Sequence, residues 1–196
     1  MNYLFFGKSS DLNIGNGKTV SAVNLVFKEH ILYNKSIWSN IKLFGIPYKE
    51  LRPDNIDEVL EDEDCIVLID ELYAIIDINH KVSPSCKKHE YPGACYEIAK
   101  LYRQVRKRNI TTAATCQSYS DCIYRLKVVM QNNILCSKYD ISTGRYKKCQ
   151  MDNCQDSHIH RIKQENIRTG ITEYMDPSVI YGMYDSSEIV KGWEIE

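Results

Sequence analysis

Three short stretches of the chain carry residues able to act on a phosphate. The first is Gly15-Asn16-Gly17-Lys18-Thr19, set between the apolar run Tyr3-Leu4-Phe5-Phe6 and a helical pattern. Its glycines let backbone N–H groups close round an anion with no side chain in the way. A helix starting near Lys18 aims its positive dipole end at the same point. Lys18 would reach the β- and γ-phosphates of a nucleotide, and the Thr19 hydroxyl would sit on Mg²⁺. Gly15, Asn16, Gly17, Lys18, Thr19 and Val20 are therefore the candidate ATP-binding residues. The full spacing G-x-x-x-x-G-K-[ST] asks for glycine at position 12, where this chain has Leu12. An extended or displaced stretch between Gly7 and Gly15 is the expected consequence.

The second stretch is Cys65-Ile66-Val67-Leu68-Ile69 ending in Asp70-Glu71. Asp70, together with Thr19, would hold Mg²⁺, and Glu71 would orient or activate an attacking water. A strand running into an acidic helix N-terminus gives the same letters and is common. The third is Thr115-Cys116-Gln117-Ser118, where Gln117 could touch both the lytic water and the γ-phosphate; alone it would pass for a polar cap on a strand. A basic helix, with Lys100, Arg103, Arg106, Lys107 and Arg108, is most often a solvated face. In an oligomeric ATPase one such arginine can reach a neighbour's γ-phosphate. Arg103 and Arg106 are the candidates, with Arg125 in reserve.

These stretches need a scaffold. Val20, Val23, Phe27 and Ile31 recur at helical spacing up to about Asn34. Ser36–Ile41 reads as a strand, and residues 54–64 are strongly acidic. The unbroken apolar run at 65–69 suits a strand buried on both faces of a parallel sheet. Residues 79–92 read as a loop, and Ile98, Leu101, Tyr102 and Val105 line one face of a helix over 97–108. Ile110–Thr115 reads as a buried strand, 121–130 as a short helix and 133–138 as another strand. The rest reads as hairpins and a tail. The pattern is that of one α/β domain over 1–196 with a mostly parallel central sheet, its core at about 3–138 and its hairpin region at 139–196. In such sheets the site lies at the C-terminal ends of the strands, where all three motifs fall.

With 196 residues and 43% hydrophobic content the chain can bury a proper core, and 26% charge is ordinary for a globular protein. A net charge of −1 offers no global attraction to nucleic acid or anionic membrane, so any such binding needs a local patch. No apolar run approaches the ~20 residues that span a bilayer, and no signal-peptide pattern opens the chain. Cys65, Cys116 and Cys136, among eight cysteines, sit in apolar runs and read as reduced, buried hydrophobes. A cytoplasmic protein is expected. Cys149, Cys154, His158 and His160 have zinc-ligand chemistry without a standard knuckle spacing. Surface hairpin residues are the favoured reading over a structural zinc.

Gly17-Lys18-Thr19-Val20-Ser21-Ala22-Val23, Trp38-Ser39-Asn40-Ile41, Leu68-Ile69-Asp70-Glu71 and Arg106-Lys107-Arg108 leading to Thr115-Cys116-Gln117-Ser118 resemble the HerA/FtsK superfamily of DNA-pumping ATPases. The likeness is to its small viral members: genome-packaging ATPases of archaeal and other internal-membrane viruses, and zonula-occludens-toxin-like assembly proteins of filamentous phages. It spans roughly residues 3–138. The resemblance implies a RecA-like P-loop three-layer sandwich, ATP hydrolysis with Mg²⁺, a ring of subunits, and double-stranded DNA threaded through it. Capsid or membrane proteins of a virion would be further partners, and the host cytoplasm the setting. The Asp-x-Arg pair that often follows the acidic strand in the small viral relatives is absent from Asp77-Ile78-Asn79-His80-Lys81. The expected function is a DNA-packaging or translocating ATPase. A morphogenesis ATPase of the zonula-occludens-toxin type and a non-hydrolysing nucleotide-gated module are the alternatives.

Overall fold

The computed structural model describes residues 1–7, 16–72, 93–122, 124–140 and 160–185. Its centre is an eight-stranded sheet in the order β3-β2-β4-β5-β1-β6-β7-β8. The strands are β1 (Asn2–Gly7), β2 (Ser36–Ser39), β3 (Lys49–Glu50), β4 (Cys65–Ile69), β5 (Thr111–Ser118), β6 (Asn132–Asp140), β7 (His160–Asn166) and β8 (Thr172–Met175). From β3 to β6 every pairing is parallel; β6, β7 and β8 form an antiparallel meander. The hairpins expected after residue 138 are this meander, and β6 runs on to Asp140.

β4 is buried along its whole length, as an unbroken apolar run in a parallel sheet should be. Its side chains alternate between two cores. Cys65, Val67 and Ile69 join Leu4, Phe6, Ile98, Leu101 and Val105 on one face. Ile66 and Leu68 join Phe5, Val20, Val23 and Phe27 on the other. Helix α1 (Lys18–Tyr33) covers the second face. Asn34 ends it in the left-handed region (φ 54°), returning its N–H to the His30 carbonyl at 2.8 Å.

The first face carries α2 (Ile56–Glu61), α3 (Gly93–Gln104) and α4 (Tyr124–Val129). The acidic stretch before β4 hides α2, whose Ile56, Val59 and Leu60 are buried at helical spacing beneath its carboxylates. α3 begins at Gly93, earlier than the periodicity suggested, and gives way to a tighter turn at Val105–Lys107. The result is three layers, helix on sheet on helix, with the parallel strands all ending at one edge. Buried Cys65, Cys116, Cys122 and Cys136 form no disulfide; burial raises the Cys65 and Cys136 pKa values to about 12. None of the described helices is long and apolar enough to cross a membrane. The 79–92 loop lies outside the described residues.

Candidate functional site

α1 starts where β1 ends, and its first turn is open. Gly17 is the N-cap in the left-handed region (φ 81°), and the first helical bond runs from the Ser21 N–H to the Gly17 carbonyl at 3.0 Å. The N–H groups of Lys18, Thr19 and Val20 therefore have no acceptor within the helix. Gly17, the N-cap, has no side chain to cap them, and the first turn carries no acid that would answer the dipole. An anion would supply both needs.

Two glycines make this geometry possible. A Cβ at Gly17 would collide with the side chain of Ile162, which reaches over from β7. One at Gly7 would lie 2.6 Å from the Asn16 amide nitrogen, so the bare end of β1 leaves room for the buried Asn16. Gly17→Ala is thus expected to destabilise the fold by about 1–2 kcal/mol for the left-handed backbone alone, with the Ile162 collision added. Urea unfolding would measure it, and an unchanged midpoint would refute the close packing of β7 on this turn.

Asp70, 8% exposed, is the hub of the site. One of its carboxylate oxygens accepts the Thr19 hydroxyl at 2.9 Å and the Thr115 hydroxyl at 2.7 Å. Burial pushes its pKa above the ordinary aspartate value, opposed by those two hydroxyls; Glu71 adds to the rise and Lys18 works against it. The register explains the meeting. Leu68 pairs with Ala113 and Ile69 with Ala114, and one step further brings Asp70 level with Thr115. β5 lies between β4 and β1, so Thr115 stands between the acid and the phosphate loop.

Glu71 turns away from the strand with φ 51°, a left-handed conformation that an L side chain adopts at a cost. Its N–H is held by the Thr115 oxygen at 2.9 Å, so one threonine serves both carboxylate residues. Asn40, just past β2, brackets the Asp70 peptide. It accepts the Asp70 N–H at 2.7 Å and donates to the Asp70 carbonyl at 2.9 Å.

Gln117 is exposed at the same edge. Phe6 pairs with Cys116 but Gly7 with Ser118, so Gln117 is the extra residue of a bulge beside the end of β1. Bulges re-aim side chains.

Thr19, Lys18, Asp70, Glu71 and Gln117 thus converge on one edge. Thr115 and Asn40 are site residues that the motifs alone did not single out. Thr115 had only a weak signal, since Thr111 and Thr112 are buried polar residues of the same strand.

Arg103 does not join them. It is exposed on the last turn of α3, which leads to the start of β5, whereas the site lies toward that strand's C-terminal end. Arg106 lies in the turn that follows, with its side chain outside the described residues, as is that of Arg125. Lys100 pairs with Asp57 at 2.5 Å and Arg108 donates to the Leu60 carbonyl. Gly15, Cys149, Cys154 and His158 lie outside the described residues, as does the side chain of His160. Among the described residues no group of three or more His, Cys, Asp or Glu side chains could hold a metal ion.

Thr19 and Asp70 do fit a magnesium ion that keeps several waters. They are hard oxygen donors, adjacent, and at the helix end where phosphates would lie.

The mostly parallel sheet with helices around it is consistent with a P-loop-like α/β fold. No protein-family pattern matches the sequence, and no curated protein does. Among solved structures the chain is similar to the crystal structure of the N-terminal domain of zonular occludens toxin from Neisseria meningitidis. The likeness has a TM-score of 0.56 at 12% identity, over 94% of this chain and 100% of that one. At that identity the similarity is one of fold.

Proposed function

We propose that this chain is a Mg²⁺-dependent ATPase that works as an oligomeric motor on double-stranded DNA, with a RecA-like core of the HerA/FtsK type. The observation that carries the ATPase is Asp70, one of whose carboxylate oxygens accepts hydroxyls from the phosphate-loop helix and from the strand between loop and acid.

In this reading the open first turn of α1 and Lys18 bind the β- and γ-phosphates. Thr19 and Asp70 would hold Mg²⁺, which would supply positive charge to the phosphoryl oxygens. Glu71 takes the proton of the attacking water, and Gln117 orients that water against the γ-phosphate. Arg103 or Arg106, which follow one another toward the start of β5, would act on the site of the next subunit in a ring. The DNA substrate and viral setting rest on the sequence resemblance.

The fold similarity to a zonular occludens toxin domain favours keeping a second reading, an ATPase of virion morphogenesis.

The test is steady-state ATP hydrolysis with and without double-stranded DNA, alongside native mass. Hydrolysis stimulated by DNA in a ring-sized particle is expected, with stimulation fading steeply as salt rises. Lys18→Ala should abolish it. Hydrolysis indifferent to DNA would transfer the case to the morphogenesis reading, and no hydrolysis above background would end both.

A further inference from the structure

We propose that Asn40 is a positioning residue for the metal-holding carboxylate of Asp70, and that the docked C-terminal segment 177–185 sets where Asn40 stands. The inference deepens the ATPase reading and rests on it.

At the end of β4 the Asp70 peptide leaves the sheet ladder, and its polar groups need partners. The Asn40 amide supplies both, at 2.7 Å to the N–H and 2.9 Å to the carbonyl. Such a two-point clamp fixes the plane of the backbone from which the carboxylate projects.

Asn40 opens the segment 40–44, and this segment is held from the other side. Leu43 forms an antiparallel bridge with Tyr184. The Phe44 N–H donates to the Met183 carbonyl at 2.9 Å, and the Asp185 N–H to the Lys42 carbonyl at 3.3 Å. Ile41, Leu43 and Ile180 share one buried cluster with Val20 and Val23 of α1, and Met183 and Tyr184 pack against it. Asp70 is thus gripped through Asn40 from β2, while Thr19 on α1 grips its carboxylate. The C-terminal segment braces both grips.

Groups that orient a metal ligand from behind typically cost 10- to 100-fold in metal affinity when removed. A plain strand-end cap would instead lower stability and leave the site's preferences alone.

Two affinities separate these roles in the full-length chain: Mn²⁺ binding by electron paramagnetic resonance with ADP present, and ADP binding in EDTA. Asn40→Ala is expected to weaken Mn²⁺ about tenfold while metal-free ADP affinity holds. Tyr184→Ala should weaken Mn²⁺ in the same way but less, and the double variant should lose no more than Asn40→Ala, because both act through one contact. Should Asn40→Ala fail to fold, Asn40→Ser is measured against the same expectations. Unchanged Mn²⁺ affinity, equal losses of Mn²⁺ and metal-free ADP, or additive losses in the double variant would overturn the proposal while leaving the ATPase standing. A wild-type chain that binds neither ADP nor Mn²⁺ would overturn the ATPase reading itself.

Discussion

Asp70→Asn is expected to leave the apo fold as stable as the wild type or more so, while ATP hydrolysis falls by about a thousandfold. Both halves follow from one carboxylate. Asp70 is buried, its charge is answered by two hydroxyls, and burial holds its pKa above the ordinary value. A group whose folded pKa is raised binds its proton more tightly in the folded chain. Its contribution to stability is therefore greatest below the unfolded pKa and is lost as pH rises toward the folded one. Above the folded pKa the ionised form is a standing cost. Asparagine keeps an oxygen for Thr19 and Thr115 and removes the charge, so melting at pH 7 should hold or rise, and the pH dependence in the acid range should flatten. Hydrolysis should not survive, because metal-based charge stabilisation is worth several kcal/mol and each ~1.4 kcal/mol is tenfold in rate. In the wild type, thermal stabilisation by Mg²⁺-nucleotide should fade as pH falls through the Asp70 folded-state pKa, since a protonated carboxyl holds no cation. Melting curves across pH, with and without Mg²⁺-ADP, would check every part. A clear loss of apo stability in Asp70→Asn would mean that the carboxylate is a net structural support.

Much of this site was legible in the sequence because its parts are local. A loop of Gly-Asn-Gly-Lys-Thr between a strand and a helix, and an apolar run closing on two acids, each state their chemistry within a few residues. What escaped depends on register and on distant chain. Thr115 matters because β5 pairs with β4 in one particular alignment, which Thr111-Thr112-Ala113-Ala114-Thr115 does not announce. Gln117 looked like the amide at a strand end, and only the bulge against β1 shows that it is re-aimed there. Ile162 closes over Gly17 from a strand far along the chain, in the region that read as simple hairpins. α2 escaped because its three carboxylates equal in number the three apolar residues of its buried face, and more acidic residues flank it on both sides. The placement of Arg103 at the opposite edge of the sheet follows from helix direction: a helix that crosses back between parallel strands ends where the next strand begins. That is topology, and no local pattern carries it.

Glu71→Gln should retain nucleotide binding and stability while lowering hydrolysis by about 10²- to 10⁴-fold, the worth of a positioned general base. The amide has the same shape, and the Glu71 N–H to Thr115 bond is untouched. A second substitution asks a sharper question. Glu71 sits at φ 51°, where an L residue costs about 1–2 kcal/mol relative to its right-handed conformation and glycine does not. Glu71→Gly is therefore expected to fold at least as stably as the wild type, its relief of strain offset in part by the greater freedom of a glycine when unfolded. It should nonetheless be inactive. Strain retained at a half-buried residue beside the hub carboxylate would then be tied to where the side chain must point. Urea unfolding of the three proteins, with ADP affinity and hydrolysis beside it, decides the matter. If Glu71→Gly is less stable by more than about 1 kcal/mol, the side chain packs for the fold's sake and the left-handed turn has no functional meaning. If Glu71→Gln hydrolyses ATP at the wild-type rate, the base lies elsewhere, and Gln117 on its bulge becomes the residue that handles the water.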